Sequence, residues 1–486
     1  MILDLISINE TDTKPIYLQI SDGIIQLLQR GVISAGAKLP ASRILANHLS
    51  VHRQTCVAAY DELVAHGWLE TKAGVGTFVA SQMPLPSPRS WKDYSNQVLN
   101  AKTLVIPEFL DRNLRLTTEN YHLDDGLPDP RLAPREELAR AFKKILLGKS
   151  LYSKLQYADT KGQYLLRLAL CEYLADSRGM QGLEPDQILV TRGVTQALFL
   201  FINAFMKSGD HVAVTALGWS SANVNFQHHG AILSYIRHDQ FGMDVDHLEE
   251  ICLTTKISAV YLTPHHHYPT TVIMPAHRRV QLLELSKKYG FYIFEDDYDF
   301  DFHYTSQPIM PLASSTHFDH VFYTGSFTKA LAPAFRIGYL VASKNQIDLL
   351  AKFRRLVDRQ GDPLMELAIT ELLKDGTIQR YLRKNRKIYM NRRDHFCNLM
   401  HDQLGDHISF VKPEGGMSVW TKFNKVKDFQ QLISSCSSND LYIQEVHTIH
   451  NQPVSALRLG FASSDENELN KSVSKLKFVL QNLNYK

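Results

Sequence analysis

The stretch Phe322–Leu340 reads FYTGSFTKALAPAFRIGYL. A short apolar run leads into the hydroxyl- and glycine-bearing loop Gly325-Ser326-Phe327-Thr328 and then to one lysine, Lys329. Arg336 follows seven residues later, with Gly338 and Tyr339 just beyond it. A lysine flanked by apolar residues loses solvation, which makes its neutral amine more accessible and suits Schiff-base chemistry with an aldehyde. Ser326, Thr328 and Arg336 offer hydroxyls and a bidentate guanidinium, a set that suits a phosphate. An aldehyde and a phosphate on one small molecule describe pyridoxal 5'-phosphate (PLP). Taken alone, the stretch also reads as a buried strand followed by an ordinary surface lysine, because single motifs are weak warrants.

Working outward, residues 120–486 alternate short apolar strands with helical stretches. Gln187–Thr191, His211–Thr215, Ala259–Leu262, Phe291–Phe294, His320–Tyr323 and Gly338–Val341 read as strands. The alternation predicts an α/β domain with a mostly parallel sheet, and ligands in such sheets collect at the carboxyl ends of strands. The polar motifs fall there. Thr191-Arg192-Gly193-Val194-Thr195-Gln196 joins a strand to a helix, whose N-terminal amides bind phosphate well. Trp219 can lie flat on a pyridine ring, or be purely structural. In Phe294-Glu295-Asp296-Asp297-Tyr298-Asp299 an acid at a strand end can pair with a pyridinium, and the tyrosine can reach the ring oxygen; a divalent-metal cluster is the other reading. Thr263-Pro264-His265-His266-His267-Tyr268-Pro269 carries three consecutive histidines. Consecutive side chains diverge in extended backbone and no carboxylate pattern matches, so no metal is expected there. Arg458, between Leu457 and Leu459, is costly to bury unless it meets an anion, such as a ligand carboxylate or an acid of the fold.

Together these residues resemble the fold-type I PLP enzymes of the aspartate aminotransferase superfamily, over roughly residues 120–486. The resemblance implies that Lys329 carries PLP as an aldimine, Asp296 holds the pyridinium, Tyr298 the ring hydroxyl, and Trp219 stacks on the ring. It implies a phosphate site of Val194, Thr195, Ser326, Thr328 and Arg336, completed by Tyr157 from a neighbouring subunit. It gives Arg458 to the carboxylate of an effector and places His266 near the cofactor. Thr271 stands where the family usually has glycine, and Asn223 where a relative that senses a small amino acid has arginine.

The first eighty residues are of another kind. Ile16–Gln29 shows helical apolar spacing behind Pro15. Ser42–Leu49 predicts a short helix, Ser50-Val51 a tight turn, and His52–His66 a second helix with Cys56, Val57, Tyr60 and Leu63 facing inward. Trp68–Val79 reads as a two-stranded wing turning at Gly74-Val75-Gly76. This is the pattern of a winged helix-turn-helix, whose second helix fits the major groove. Residues 1–80 hold six Lys/Arg against seven Asp/Glu, but Lys38–Tyr60 contains no acid at all. Arg43, His52, Arg53, Gln54 and Thr55 are the candidate DNA contacts, and Lys72 with the wing glycines can approach phosphates. A small helical protein-interaction module is the plainer alternative. The segment resembles GntR-family winged-helix regulators through Pro15-Ile16-Tyr17, Leu39-Pro40-Ala41-Ser42-Arg43, Arg53-Gln54-Thr55, Ala59-Tyr60 and Gly74 to Val79, with His52 where the family often has serine.

Residues 81–119, with Pro84, Pro86 and Pro88, read as a semi-rigid linker, on which Trp91 and Tyr94 are docking candidates. A GntR reader joined to an aminotransferase-like domain is the plan of the MocR/GabR subfamily, which Glu295-Asp296-Asp297-Tyr298 and Leu331-Ala332-Pro333 also resemble. The expected organisation is residues 1–80 for DNA, 81–119 as tether and 120–486 for PLP. The expected function is a transcriptional regulator that senses PLP or an amine or amino-acid effector; a working aminotransferase with a DNA-binding appendage is the alternative. Expected partners are double-stranded DNA, that effector, a second copy in a homodimer, and RNA polymerase.

The totals agree with this. Net charge is +3 over 486 residues, so the whole chain is not a polycation. Five scattered cysteines without a CxxC pair argue against a disulfide framework or zinc module and fit the cytoplasm. MILDLISINE lacks the basic region of a signal peptide. Ala197–Met206 is too short to span a bilayer, so no membrane is expected.

Overall fold

The computed structural model describes residues 5–9, 12–84, 107, 110, 117–148, 154–305, 308–315, 319–444, 447–449 and 452–483. Trp91 and Tyr94 lie outside the described residues. The chain divides into two compact units, Met1–Val105 and Ile106–Lys486.

In the first unit, helices Ile16–Gln29, Ser42–Leu49 and Arg53–Ala65 precede a two-stranded antiparallel ribbon, Leu69–Lys72 with Gly76–Val79. Ile20, Ile24, Leu28, Leu45, Cys56, Ala59 and Leu63 form its core. Val57 is only half-buried, because it stands at the edge of the stripe that Cys56, Tyr60 and Leu63 bury. Ser50 closes the second helix in the left-handed region, φ 56°, which reverses the chain into the third. His52 lies outside that third helix as its N-cap, with Nδ1 accepting from the backbone N–H of Gln54 at 3.3 Å. Capping of this kind satisfies one of the four orphan donors at a helix start.

The second unit is built on a seven-stranded sheet. Its spatial order is Ile188–Thr191, Gly338–Val341, Val321–Ser326, Tyr292–Asp297, Ile257–Leu262, His211–Thr215, Ile232–Ile236. Only Gly338–Val341 runs antiparallel to its neighbours. Ile232–Ile236 escapes sequence reading because it is an edge strand without two-residue alternation: Ile232 and Tyr235 are exposed, Leu233 and Ser234 half-buried and Ile236 buried. The Tyr292–Asp297 strand runs three residues further than its apolar core suggests, since Glu295, Asp296 and Asp297 all sit inside the ladder with Val321–Ser326.

The helix Val194–Phe205 is held on one face of the sheet by aromatic packing. The Phe201 ring centroid lies 4.8 Å from Phe322 and 5.2 Å from Phe294. Such pairs add to the burial of large rings, and truncating Phe201 is expected to cost about 3–5 kcal/mol. The packing fixes where the N-terminus of this helix points. A separate antiparallel sheet, Ile408–Phe410, Ser418–Phe423 and Ala456–Gly460, carries Arg458 opposite Trp420. Among the described residues no helix is long and apolar enough to cross a membrane, and all five cysteines are free.

Candidate functional site

The carboxyl ends of the central strands open into a cavity. Lys329, Asp296, Tyr298, Trp219, Val194, Thr195, Ser326, Thr328, Arg336 and Arg458 all line it. Residues scattered over more than 260 positions of sequence thus converge: most end a strand or begin the helix that follows one, Arg336 precedes the Gly338–Val341 strand, and Arg458 reaches in from the middle of Ala456–Gly460.

Strand alternation sorts the acidic run. The Glu295 carboxylate accepts from the backbone N–H groups of Leu312 and Ala313 at 2.8 and 3.0 Å. Asp297 accepts from the Tyr323 hydroxyl at 2.5 Å, and Arg178 in turn holds Tyr323 and Asp301. Only Asp296, between them, faces the cavity. The three carboxylates therefore do not converge on a common ion, and the divalent-metal reading of this run fails. Asp296 Oδ2 accepts from Tyr261 at 2.7 Å, while its Oδ1 is buried without a partner. Burial pushes Asp296 up to about 7; Asp297 and Asp299 add to the rise, while the Tyr261 hydrogen bond and Lys329 oppose it.

Lys329 sits in a short turn of helix, Phe327–Ala330, capped by Ser326, whose hydroxyl accepts from the Thr328 N–H at 3.0 Å. Its amine donates to the Gly126 carbonyl at 2.9 Å. Burial pulls the Lys329 pKa down, partly offset by Asp125, and this enriches the neutral amine that a nucleophile needs.

Opposite the lysine, Gly193 stands at φ 90° at the start of the Val194–Phe205 helix. A Cβ there would lie 3.6 Å from Arg336 Nη1 and 3.7 Å from Thr328 Oγ1. Both groups therefore aim at the empty space beside a helix N-terminus, where backbone amides lack intrahelical partners. Thr328 Oγ1 is itself buried and unpartnered.

Arg458 is fully buried. Its Nη1 donates to the Pro269 carbonyl at 3.0 Å, and its Nε lies 3.1 Å from Asp125 Oδ1. Burial disfavours its charge, but Tyr298, Asp125 and Tyr268 outweigh this and hold the guanidinium protonated. Tyr298 donates to the His266 carbonyl at 3.0 Å, and burial raises its pKa.

Two predicted residues do not line the cavity. His266 is buried behind it with Nδ1 2.7 Å from Asp299 Oδ1, and it meets Tyr298 through its backbone only. Tyr157 is exposed, with the Arg359 guanidinium 3.7 Å above its ring. Asp125, Tyr261, Thr263 and Tyr268 line the cavity and escaped the sequence reading. Tyr268 directly follows the three histidines; Asp125 and Tyr261 gave no signal beyond an acid before a glycine and an aromatic in a strand.

In the N-terminal unit Arg43, His52, Arg53 and Gln54 are exposed and Thr55 is half-buried. Arg53, Gln54 and Thr55 occupy the first turn of the third helix, and Arg43 lies in the first turn of the second. Lys72 ends the first ribbon strand, with its amine 5.0 Å above the Phe78 ring and 3.6 Å from Glu70.

The profile of the gntR family of bacterial regulatory proteins matches residues 16–79, and that of aminotransferase class I and II matches residues 114–476. The chain belongs to the aminotransferase class I and II family. With its gntR-family reader it has the plan of the MocR/GabR regulators. It is 24% identical to the probable rhizopine catabolism regulatory protein MocR of Rhizobium meliloti, over 95% of this chain and 93% of that one. It is 27% identical to the pyridoxine biosynthesis regulator PdxR of Corynebacterium glutamicum, over 84% and 83%. Among solved structures, the α-aminoadipate aminotransferase LysN of Thermus thermophilus, complexed with N-(5'-phosphopyridoxyl)-L-leucine, superposes with a TM-score of 0.69. It is 26% identical and is matched over 74% of this chain and 92% of that one.

PLP is the cofactor of this family. The cavity fits it on three observations: the orphaned Asp296 Oδ1, the orphaned Thr328 Oγ1, and the space that Gly193 leaves between Arg336 and Thr328.

Proposed function

We propose that this protein is a DNA-binding transcriptional regulator whose aminotransferase-like domain senses PLP, or an amine or amino-acid effector, through Lys329. One observation carries the reading: a cavity combining an amine of lowered pKa, an orphaned carboxylate and a buried arginine lies in a chain that also bears a gntR-family helix-turn-helix. When bound, PLP supplies an aldehyde that exchanges between protein and ligand amines and a ring that withdraws electrons.

The chain's own residues do the rest. Lys329 holds the cofactor and yields it to an incoming amine. Asp296 pairs with the ring nitrogen; a cationic partner returns that carboxylate to its ionised form despite burial. Tyr298 directs a hydrogen bond to the ring oxygen and Trp219 covers the ring face. Val194, Thr195, Ser326, Thr328 and Arg336 hold the phosphate. Arg458 takes an effector carboxylate, which must displace Asp125 from the guanidinium. Tyr157 serves the phosphate of a second copy in a homodimer, where its exposure in a single chain ends. Arg43, His52, Arg53, Gln54 and Thr55 read base edges, and Lys72 meets phosphate. For the ligand to regulate, it must bind two states of the protein with different affinity and so shift DNA binding or polymerase recruitment. Such a regulator works beside the chromosome in the cytoplasm. The role in the name of PdxR supports PLP itself as a signal.

The test is a stopped-flow absorbance spectrum and a keto-acid assay over an amino-acid and amine panel, with DNA binding followed in parallel. A ligand that shifts the cofactor spectrum and changes DNA affinity, with little keto acid formed, is the expected result. Fast multiple turnover, on the order of 1–10³ per second, with no change in DNA affinity or transcription would overturn the regulator reading. Sedimentation showing a monomer that retains the cofactor would remove Tyr157 from the site.

A further inference from the structure

Behind the cavity wall lies a second polar cluster that the proposed function does not use. His265, His266 and His303 are all buried, with 3%, 1% and 7% of their surface exposed. One ring nitrogen from each lies within 4.8 Å of the others. The rings are close, with centroids 4.5 Å apart for His265–His266, 5.6 Å for His265–His303 and 6.0 Å for His266–His303. Both nitrogens of His265, Nε2 of His266 and Nδ1 of His303 have no hydrogen-bond partner. Buried polar atoms are almost always paired, so four orphans in one place call for an occupant.

We propose that His265, His266 and His303 form a binding site for one divalent transition-metal ion of the Zn²⁺ class. The expectation of no metal rested on the divergence of consecutive side chains. His267 does diverge, to Thr270 and Thr215. The third histidine comes instead from the turn after the Tyr292–Asp297 strand, which no local spacing announces.

The donor set suits this ion. Imidazole favours zinc, copper, iron and nickel over magnesium and calcium. His266 Nδ1 faces Asp299 Oδ1 at 2.7 Å, which places the proton on Nδ1 and leaves the Nε2 lone pair free. A carboxylate behind a histidine in this way is the usual support of a metal-bound imidazole. His303 is oriented from its other side by Thr305 Oγ1, 3.3 Å from Nε2, and His265 by stacking on Phe300 at 4.4 Å. A Cβ at Gly415 would overlap His266 Nε2, so a glycine is what permits the cluster. Three nitrogens leave a fourth position for water. The ion clamps the loop after the Ile257–Leu262 strand to the turn after the Tyr292–Asp297 strand, and Tyr298, on that turn, is already bonded to His266.

The test uses untagged full-length protein, equilibrated with micromolar Zn²⁺ and then dialysed against metal-free buffer. Elemental analysis should find about one zinc per chain, and X-ray absorption should show a nitrogen shell at about 2.0–2.1 Å with imidazole scattering and no sulfur. His303→Gln and His265→Asn, each checked by circular dichroism and melting, should lose the stoichiometric metal. Asp299→Asn should weaken it about 10- to 100-fold. Negligible zinc after dialysis, a sulfur-containing shell, or a folded His303→Gln protein that keeps wild-type zinc would each overturn the site. Should both histidine variants fail to fold, the absorption spectrum of the wild-type metal decides alone.

Discussion

In the N-terminal unit Arg43, Arg53 and Gln54 stand exposed on helix surfaces, and among the described residues neither arginine makes an ion pair. In the larger unit Lys329, Asp296 and Arg458 converge inside a cavity, and each has its proton affinity moved by burial and neighbours. The difference follows from what each surface meets. A reader of DNA meets a large polyanion whose field does the steering, so its side chains need only reach. A cavity for a small molecule must be built in advance, because its few contacts must each be worth more than in water. The two regions should therefore fail differently when single groups are removed.

The largest effect is expected in the cavity. Lys329→Ala should abolish the visible cofactor band that borohydride fixes to the protein, because among the described residues no other lysine lines the cavity. A fixed band surviving in this variant would place the attachment elsewhere. In the reader, losses should be graded instead. Arg53→Ala should weaken binding to the specific operator by about 1–3 kcal/mol, roughly 5- to 150-fold, with little change for random duplex. Lys72→Ala should weaken binding to all duplexes alike and reduce the slope of log affinity against log salt by about one. An unchanged footprint with Arg53→Ala would move the reading helix away from Arg53–Ala65.

The same contrast explains what could be read from sequence. Helices, wing and strands follow from local periodicity, so Ser42–Leu49, His211–Thr215 and Gly338–Val341 lie where the pattern puts them. Lys329, Asp296 and Arg458 were legible because a charged residue in an apolar strand context demands a partner. Asp125 and Tyr261 were not, since an acid or tyrosine acquires meaning only once folding brings Arg458 or Asp296 beside it. His303 was hidden for the same reason. His266 was noticed, but its ring turns to Asp299 while its backbone serves Tyr298, and side-chain direction is not written in a run of like residues.

A smaller and pH-dependent effect is expected at Asp296. With its folded pKa near 7 and an unfolded value near 4, the carboxyl binds more protons folded than unfolded between those limits. Stability from this group is therefore present in acid and lost as pH rises from about 4 to about 7. Asp296→Asn lacks that loss. In the cofactor-free protein its melting temperature should rise relative to wild type on going from pH 5 to pH 8, by the equivalent of a few kcal/mol at most. With cofactor present the order should reverse, because the carboxylate then has a cationic partner. A difference that stays constant with pH in the free protein would mean that Asp296 is ionised throughout.

The smallest effect belongs to the loop that carries the cavity's rear wall. Thr271 holds φ 64°, in the left-handed region, and its N–H donates to the His267 carbonyl at 2.7 Å, while the His267 N–H donates back to Val272 at 2.7 Å. A β-branched residue in that region is strained by about 1–3 kcal/mol. Glycine removes the strain at no steric cost but gives the unfolded chain more freedom, worth about 0.5–1 kcal/mol. Relief of the strain outweighs that added freedom, so Thr271→Gly should stabilise the protein by up to about 2 kcal/mol. Because Pro269 accepts from Arg458 on one side of this turn and His267 reaches Thr215 on the other, the loop must keep its shape for the cavity to form. The variant should therefore raise the melting temperature without loss of cofactor. Lower stability would show that the Thr271 side chain is held by packing worth more than its backbone strain.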